Sequence, residues 1–313
     1  MQINNPPRSS TDDAGRGDTK MENMRYDYSP LPTRKAFRLP GQARVALWIG
    51  INIEHFDIGE ENFPGSGTAK IIPPNVYDYA PRDYGNRIGI WRLMEVLDRH
   101  GIRASVLLNS DVCRHYPIII EEAKRRKWEF MGHGTSNSIT LNGKSAEEER
   151  RIITSTLEEI GSATGQRPLG WLSPALQETF DTPDILAEAG IKYVCDWCAD
   201  DQPFPMKVKT GTLISVPYTQ DMNDIPAFIR RNLTPREFYE TVKDQFDVFY
   251  REGTEQARVM CIALHPFLIG QPFRIGWFDK AIQYIKSHEN VWFATCMEIA
   301  SWYYDQYMGM TLT

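Results

Sequence analysis

Long apolar runs are missing from this 313-residue sequence, and with them any segment of membrane-spanning length. An excess of basic charge is missing too. Lys and Arg number 35 against 41 Asp and Glu, a formal charge of −6, and they are scattered rather than striped, so neither nucleic acid nor an anionic lipid surface is an expected partner. The leader MQINNPPRSSTDDAGRGDTK lacks the hydrophobic centre of a secretory signal, which points to a cytoplasmic protein. Its polar, Pro-, Gly- and Ser-containing composition cannot offset the entropy of ordering. Residues 1–24 are therefore expected to be a disordered tail ahead of one domain over residues 25–313. Cysteine is scarce: five residues, at 113, 195, 198, 261 and 296, an odd number that fits reduced, buried thiols better than a disulfide framework. Cys195 and Cys198 have the spacing of half a zinc site, but no second pair exists and Cys195 ends an apparent strand, so packed thiols are the simpler reading. Nucleotide-loop and nucleophile-elbow signatures are also absent; GSG at 65–67 reads as a turn, and NLT at 232–234 as the helix cap Thr234 rather than a glycosylation acceptor.

What the sequence does have is alternation. The run VALWIGINI at 45–53 reads as a buried strand, and strand-like segments IRASVLLN, WEFM, PLGWLS, IKYVCDW, TLISVPY, RVMCIALH and VWFAT follow, separated by helix-like ones. In NRIGIWRLMEVLDRHG, Ile88, Trp91, Met94 and Leu97 share a face that stops at Gly101, a natural C-cap. Ser145 with Glu148 makes a capping box, and Thr182–Pro183 and Thr234–Pro235 open later helices. Strands alternating with helices imply a parallel sheet, and seven or eight such strands imply an irregular (β/α) barrel in which chemistry gathers where strands end.

The residues at those ends are polar throughout: Glu54, His55, Asn109, Ser110, His133, Ser173, Asp196 and His265. Three of the six histidines fall there, whereas His100, His115 and His288 lie on helices or their flanks and read as surface residues. Any one strand-end histidine is most simply a hydrogen-bonded core residue; three, brought to one rim with two carboxylates, point to an active site. Trp171, Trp197, Tyr218 and Phe267 beside it serve equally well as pocket wall or as core.

The order of these motifs resembles the NodB-type polysaccharide deacetylase superfamily over residues 40 to 300, and is more similar to its allantoinase and cyclic imide hydrolase branch. RDYGNRIGIWR (82–92), DDQPF (200–204) and HPFLIGQPFR (265–274) carry the latter likeness. The family's first motif, an Asp-Asp pair of general base and metal ligand, falls on Glu54 and His55. Its second, His-x-x-x-His, falls on His133 and Asn137; its third on Leu172, Ser173 and Pro174, without the usual Arg; its fourth on Asp196 and Trp197; and its fifth on Leu264 and His265. The resemblance implies hydrolysis of a C–N bond, with Glu54 as general base and His265 as general acid. His55 and His133, with Asn137, either hold one divalent ion, zinc by preference, or act without a metal as hydrogen-bond donors.

The loops at 56–86 and 197–211 are bulky enough to roof the mouth, which favours a small cyclic imide or ureide such as succinimide, hydantoin or allantoin over an open-groove polysaccharide. Arg87 or Arg82 would donate to a ring carbonyl, Asp200 would accept a ring N–H, and Trp171, Ser173 and Asp196 would complete the substrate site. An N-deacetylase of an acetylated sugar and a non-catalytic ligand-binding barrel are the alternatives. The expected partner is a small molecule, and nothing in the sequence argues against a homo-oligomer.

Overall fold

The computed structural model describes residues 22–60 and 71–312. The expected tail falls outside the described residues up to position 21, as does the GSG turn at 65–67. Among the described residues nine strands form one sheet: β1 (Val45–Ile53), β2 (Ser105–Leu108), β3 (Glu129–Gly132), β4 (Gly170–Trp171), β5 (Tyr193–Val194), β6 (Phe204–Met206), β7 (Leu213–Ser215), β8 (Arg258–Leu264) and β9 (Val291–Phe293). The order is β6-β7-β5-β4-β3-β2-β1-β8. All pairings are parallel except β6 with β7. β1 is the hinge of the arrangement: β8 runs along one side from Val45 to Ile51, while β9 covers the first half of the other side and β2 the second. The sheet curls into the deformed (β/α) barrel expected from the alternation. The strand count is one or two higher than expected because β6, in the loop read as a roof at 197–211, pairs antiparallel at the edge.

Except for β6 and β9 the strands are buried on both faces, as parallel strands flanked by helices must be, and the two faces feed different cores. In β1, Val45, Leu47, Ile49, Ile51 and Ile53 pack outward against helices, whereas Ala46 and Trp48 point inward to the barrel interior with Met131, Tyr193, Ile214 and Val259. The same alternation holds in β8, where Val259, Cys261 and Ala263 are interior and Met260, Ile262 and Leu264 face the helices. Side chains two apart share a face, so this parity decides which strand-end residues meet.

Helices begin where the caps require. Ser145, Thr234 and Thr295 each form a reciprocal capping box with the glutamate three residues on. The segment expected to start a helix near Asn86 begins earlier, at Val76, and passes through a π-turn, Gly85–Gly89, before continuing over Ile90–His100. The reason lies across the interface. A Cβ on Gly89 would stand 2.0 Å from the Pro266 carbonyl oxygen, and one on Gly85 2.6 Å from the Phe267 nitrogen. Only glycine lets this turn press against the backbone that follows His265. All five cysteines are free; Cys195 is buried 3.6 Å from Cys296, as a packed thiol is, whereas Cys198 is exposed, contrary to the expectation. Among the described residues no helix is long and apolar enough to cross a membrane.

Candidate active site

The inward register of the strands continues past their ends. Asn52 and Glu54 extend the Ala46–Trp48 face, His133 extends that of Met131, Leu172 that of Gly170, Tyr218 that of Ile214 and Val216, and His265 that of Cys261 and Ala263. These six residues line one cavity of about 270 Å³. Larger hollows of about 470 and 650 Å³ lie around Asp200 and contain neither Glu54 nor His265.

Glu54 is the centre of the cavity floor. Its Oε1 accepts a hydrogen bond from Asn137 Nδ2 at 2.7 Å, and it lies 3.5 Å from His133 Nε2 and 3.6 Å from His265 Nε2. Both imidazoles are oriented from behind. His133 Nδ1 meets the Leu172 carbonyl at 2.7 Å, which assigns it the proton and turns Nε2 toward the cavity. His265 Nδ1 meets Asp224 Oδ1 at 2.6 Å, and the His265 backbone N–H donates to Asp224 Oδ2 at 2.9 Å. Asp224 is fully buried.

Burial alone would drive the Glu54 carboxyl up; the positive charge of His265 is the leading effect that overrides it, and the carboxyl is held at about 2. Burial alone would likewise drive His265 down; Asp224 and then Glu54 override it and raise the imidazole to about 9. At neutral pH the floor is therefore a carboxylate facing an imidazolium, an acceptor and a donor of protons 3.6 Å apart. Arg82 sits nearby, buried between the rings of Phe56 and Phe267 at 4.8 and 5.3 Å, and donates to the Asp78 carbonyl.

Asp224, the buried partner of His265, is not among the residues the sequence singled out. It lies in the loop after β7, in DMNDIP, where no strand register points to it.

Parity also explains which expected residues stay away. His55 continues the outward face of β1 through Ile53, stacks on His115 with ring centroids 4.4 Å apart, and turns Nδ1 toward Asp111 at 3.8 Å. It does not line the cavity. Trp171 and Ser173 continue the outward face of β4; Trp171 packs among Ile153, Leu157 and Ile185, and its indole N–H donates to Ser173 Oγ. Asp196 faces outward after β5 and accepts the Ser173 backbone N–H at 2.7 Å. Burial and the Asp196 charge push the adjacent Glu178 up to about 10. Asp200 is held by Arg34 in a two-pronged ion pair at 2.8 and 2.5 Å. Arg87 is solvent-exposed on its helix, 3.9 Å from Asp83.

The ligand set His55, His133 and Asn137 is thus not assembled. His55 is on the wrong face, and Asn137 presents its NH₂ group, a donor, to Glu54. His265, the other imidazole at Glu54, carries protons on both nitrogens below about pH 9. Among the described residues no three His, Cys, Asp or Glu side chains converge as a cation site. These residues do not fit a bound divalent ion in this arrangement.

The polysaccharide deacetylase family model matches residues 77–194. That span includes His133 and Asn137 but neither Glu54, Asp224 nor His265. Among solved structures, Puue allantoinase is similar at 28% identity and a TM-score of 0.79, covering 88% of this chain and 95% of that one. A "probable Polysaccharide deacetylase" from Pseudomonas aeruginosa PAO1 is similar at 26% identity and a TM-score of 0.81, with the same coverage, 88% and 95%. The peptidoglycan deacetylase of Helicobacter pylori is 23% identical over 250 residues, 69% of this chain and 84% of that protein.

Proposed function

We propose that this chain, which belongs to the polysaccharide deacetylase superfamily and is similar to its allantoinase branch, is a hydrolase that opens the C–N bond of a small cyclic imide or ureide. One observation carries the reading: an ionised carboxylate and a protonated imidazole face each other across the floor of a small cavity. At about 270 Å³ the cavity suits a five- or six-membered ring.

Hydrolysis adds water across the C–N bond, hydroxyl to carbon and proton to nitrogen. Glu54 accepts a proton from water as its oxygen attacks the carbonyl, and the His265 cation first stabilises the charge that develops there and then protonates the departing nitrogen. A carboxyl held near 2 is a weak base in the resting site. It takes the proton as negative charge builds on the attacked carbonyl, which the His265 cation stabilises. Once His265 has given its proton to the nitrogen, the charge that depressed Glu54 is gone and the carboxyl holds the proton until it is returned. Glu54 ends the cycle protonated and His265 neutral, and their proximity lets the proton return. Asn137 keeps Glu54 aimed through the 2.7 Å hydrogen bond, and Asp224 holds His265 both oriented and charged.

A second reading, removal of an acetyl group from an N-acetylated sugar, uses the same two groups and is favoured by the matched family model and by the Helicobacter relative's activity. Purified protein assayed on succinimide, hydantoin, allantoin and an acetylated chito-oligomer separates the two. Ring opening at least about a hundredfold more efficient than acetate release supports the first reading, and the reverse order establishes the second.

A further inference from the structure

Besides Glu54 and the imidazoles, the cavity is lined by five side-chain amides, Asn52, Asn137, Gln177, Gln220 and Asn223, and by one more charge, Arg230. Amides both donate and accept, which suits the alternating carbonyl and N–H edge of a ring imide or ureide. Arg230 asks for something else. It ends the π-turn Pro226–Arg230, in the same loop that buries Asp224, so one segment both fixes the partner of His265 and carries a guanidinium to the cavity mouth.

The neighbouring cations are occupied. Arg231 is tied to Asp221, with Nη1 3.2 Å from Oδ1 and Nη2 donating to the carbonyl at 2.6 Å. Arg274 lies over the Phe228 ring at 4.3 Å and donates to the Leu268 carbonyl. Arg230 is solvent-facing and, among the described residues, has no carboxylate within ion-pair distance. The Glu54 charge does not call for it, since His265 already answers that charge at 3.6 Å. A guanidinium is a planar fork matched to a carboxylate, and this one borders the space a ring would occupy.

We propose that the preferred substrate is a ring imide or ureide bearing a carboxylate, which Arg230 grips at the mouth while the ring lies among the amides above Glu54. The inference rests on the ring-opening reading and adds the substrate's charge. Its test compares kcat/KM for hydantoin and for its carboxymethyl derivative, hydantoin-5-acetate, using the unaltered protein, Arg230→Lys and Arg230→Gln, at low and at raised ionic strength. The unaltered protein should favour the carboxylated ring by about tenfold or more, and Arg230→Gln should lower kcat/KM for that ring about tenfold further than for the parent, chiefly through KM. Arg230→Lys should keep part of the preference, and salt should narrow it. Equal losses on the two rings in Arg230→Gln, or no preference in the unaltered protein, overturn the role of Arg230 and leave ring opening standing. Turnover of neither ring overturns the ring-opening reading itself, and the inference with it.

Discussion

Replacing Asp224 by Asn changes one atom and one charge at a site where both matter. The carboxylate is fully buried, 2.6 Å from His265 Nδ1, and is the leading reason the imidazole stands at about 9 instead of its ordinary value near 6.5. That elevation corresponds to about 3 kcal/mol of preference for the charged ring. Burial opposes it, and the variant leaves only Glu54 to sustain the charge. The sign follows from the role: His265 acts as an acid, so kcat/KM is sustained below its pKa and lost as pH rises through it. In the unaltered protein the alkaline limb should lie near pH 9 and, with Glu54 at about 2, the profile should be flat across the neutral range. Asp224→Asn should move the alkaline limb down by about one to two and a half pH units. It also sets an NH₂ group against the backbone N–H that Oδ2 now receives, loosening the ring, so the rate at neutral pH should fall by about two orders of magnitude. The assay is a pH profile of kcat/KM on a ring substrate, with circular dichroism to confirm folding. An alkaline limb that stays near pH 9 in a folded variant refutes the assignment of His265 as the acid.

Asn137→Asp would place a second carboxylate at hydrogen-bonding distance from Glu54; like charges there should raise the acid limb of the kcat/KM profile by about one to three pH units, and an unmoved limb would show that Glu54 does not set it. Because the expected ligand set is not assembled, exhaustive chelation should leave kcat within about twofold; activity lost on chelation and restored by zinc would mean that His133 and Glu54 bind an ion in the working enzyme. Gly89→Ala drives a Cβ into the Pro266 carbonyl oxygen and should cost about 1–3 kcal/mol or more in chemical denaturation, with a matching drop in activity as the His265 segment is pushed aside; unchanged stability would argue that the close approach is not needed.

The alternation of strand- and helix-forming segments, the capping boxes and the barrel class were legible in the sequence because each is a local signal: a period, a cap, a turn residue. Glu54, His133 and His265 were legible for a related reason, as polar residues terminating apolar runs. Strand parity accounts for most of the expected residues that stay away from the cavity, Arg87 on its helix and Asp200 in its loop excepted. Glu54 and His55 were assigned to the same rim, yet adjacent residues on a strand face opposite ways, and the same oversight drew in Trp171, Ser173 and Asp196. The parity was present in the sequence; what was not present was which face is interior, since both faces of these strands are apolar. Asp224 and Arg230 were illegible for another reason. Both sit in a loop whose path is set by packing rather than by any periodicity, and their relation to His265 and to the cavity exists only once β7 and β8 have been brought around the barrel.

The same parity supplies the most direct test. Glu54→Gln and His55→Gln alter neighbouring residues by comparable amounts, and kcat/KM on one ring substrate reads them together. The inward carboxylate should be indispensable, with Glu54→Gln losing about two to four orders of magnitude, while His55→Gln, on the outward face against His115, should remain within about threefold of the unaltered protein. A His55→Gln variant as impaired as Glu54→Gln, or a Glu54→Gln variant that still turns over at a near-normal rate, would contradict the account.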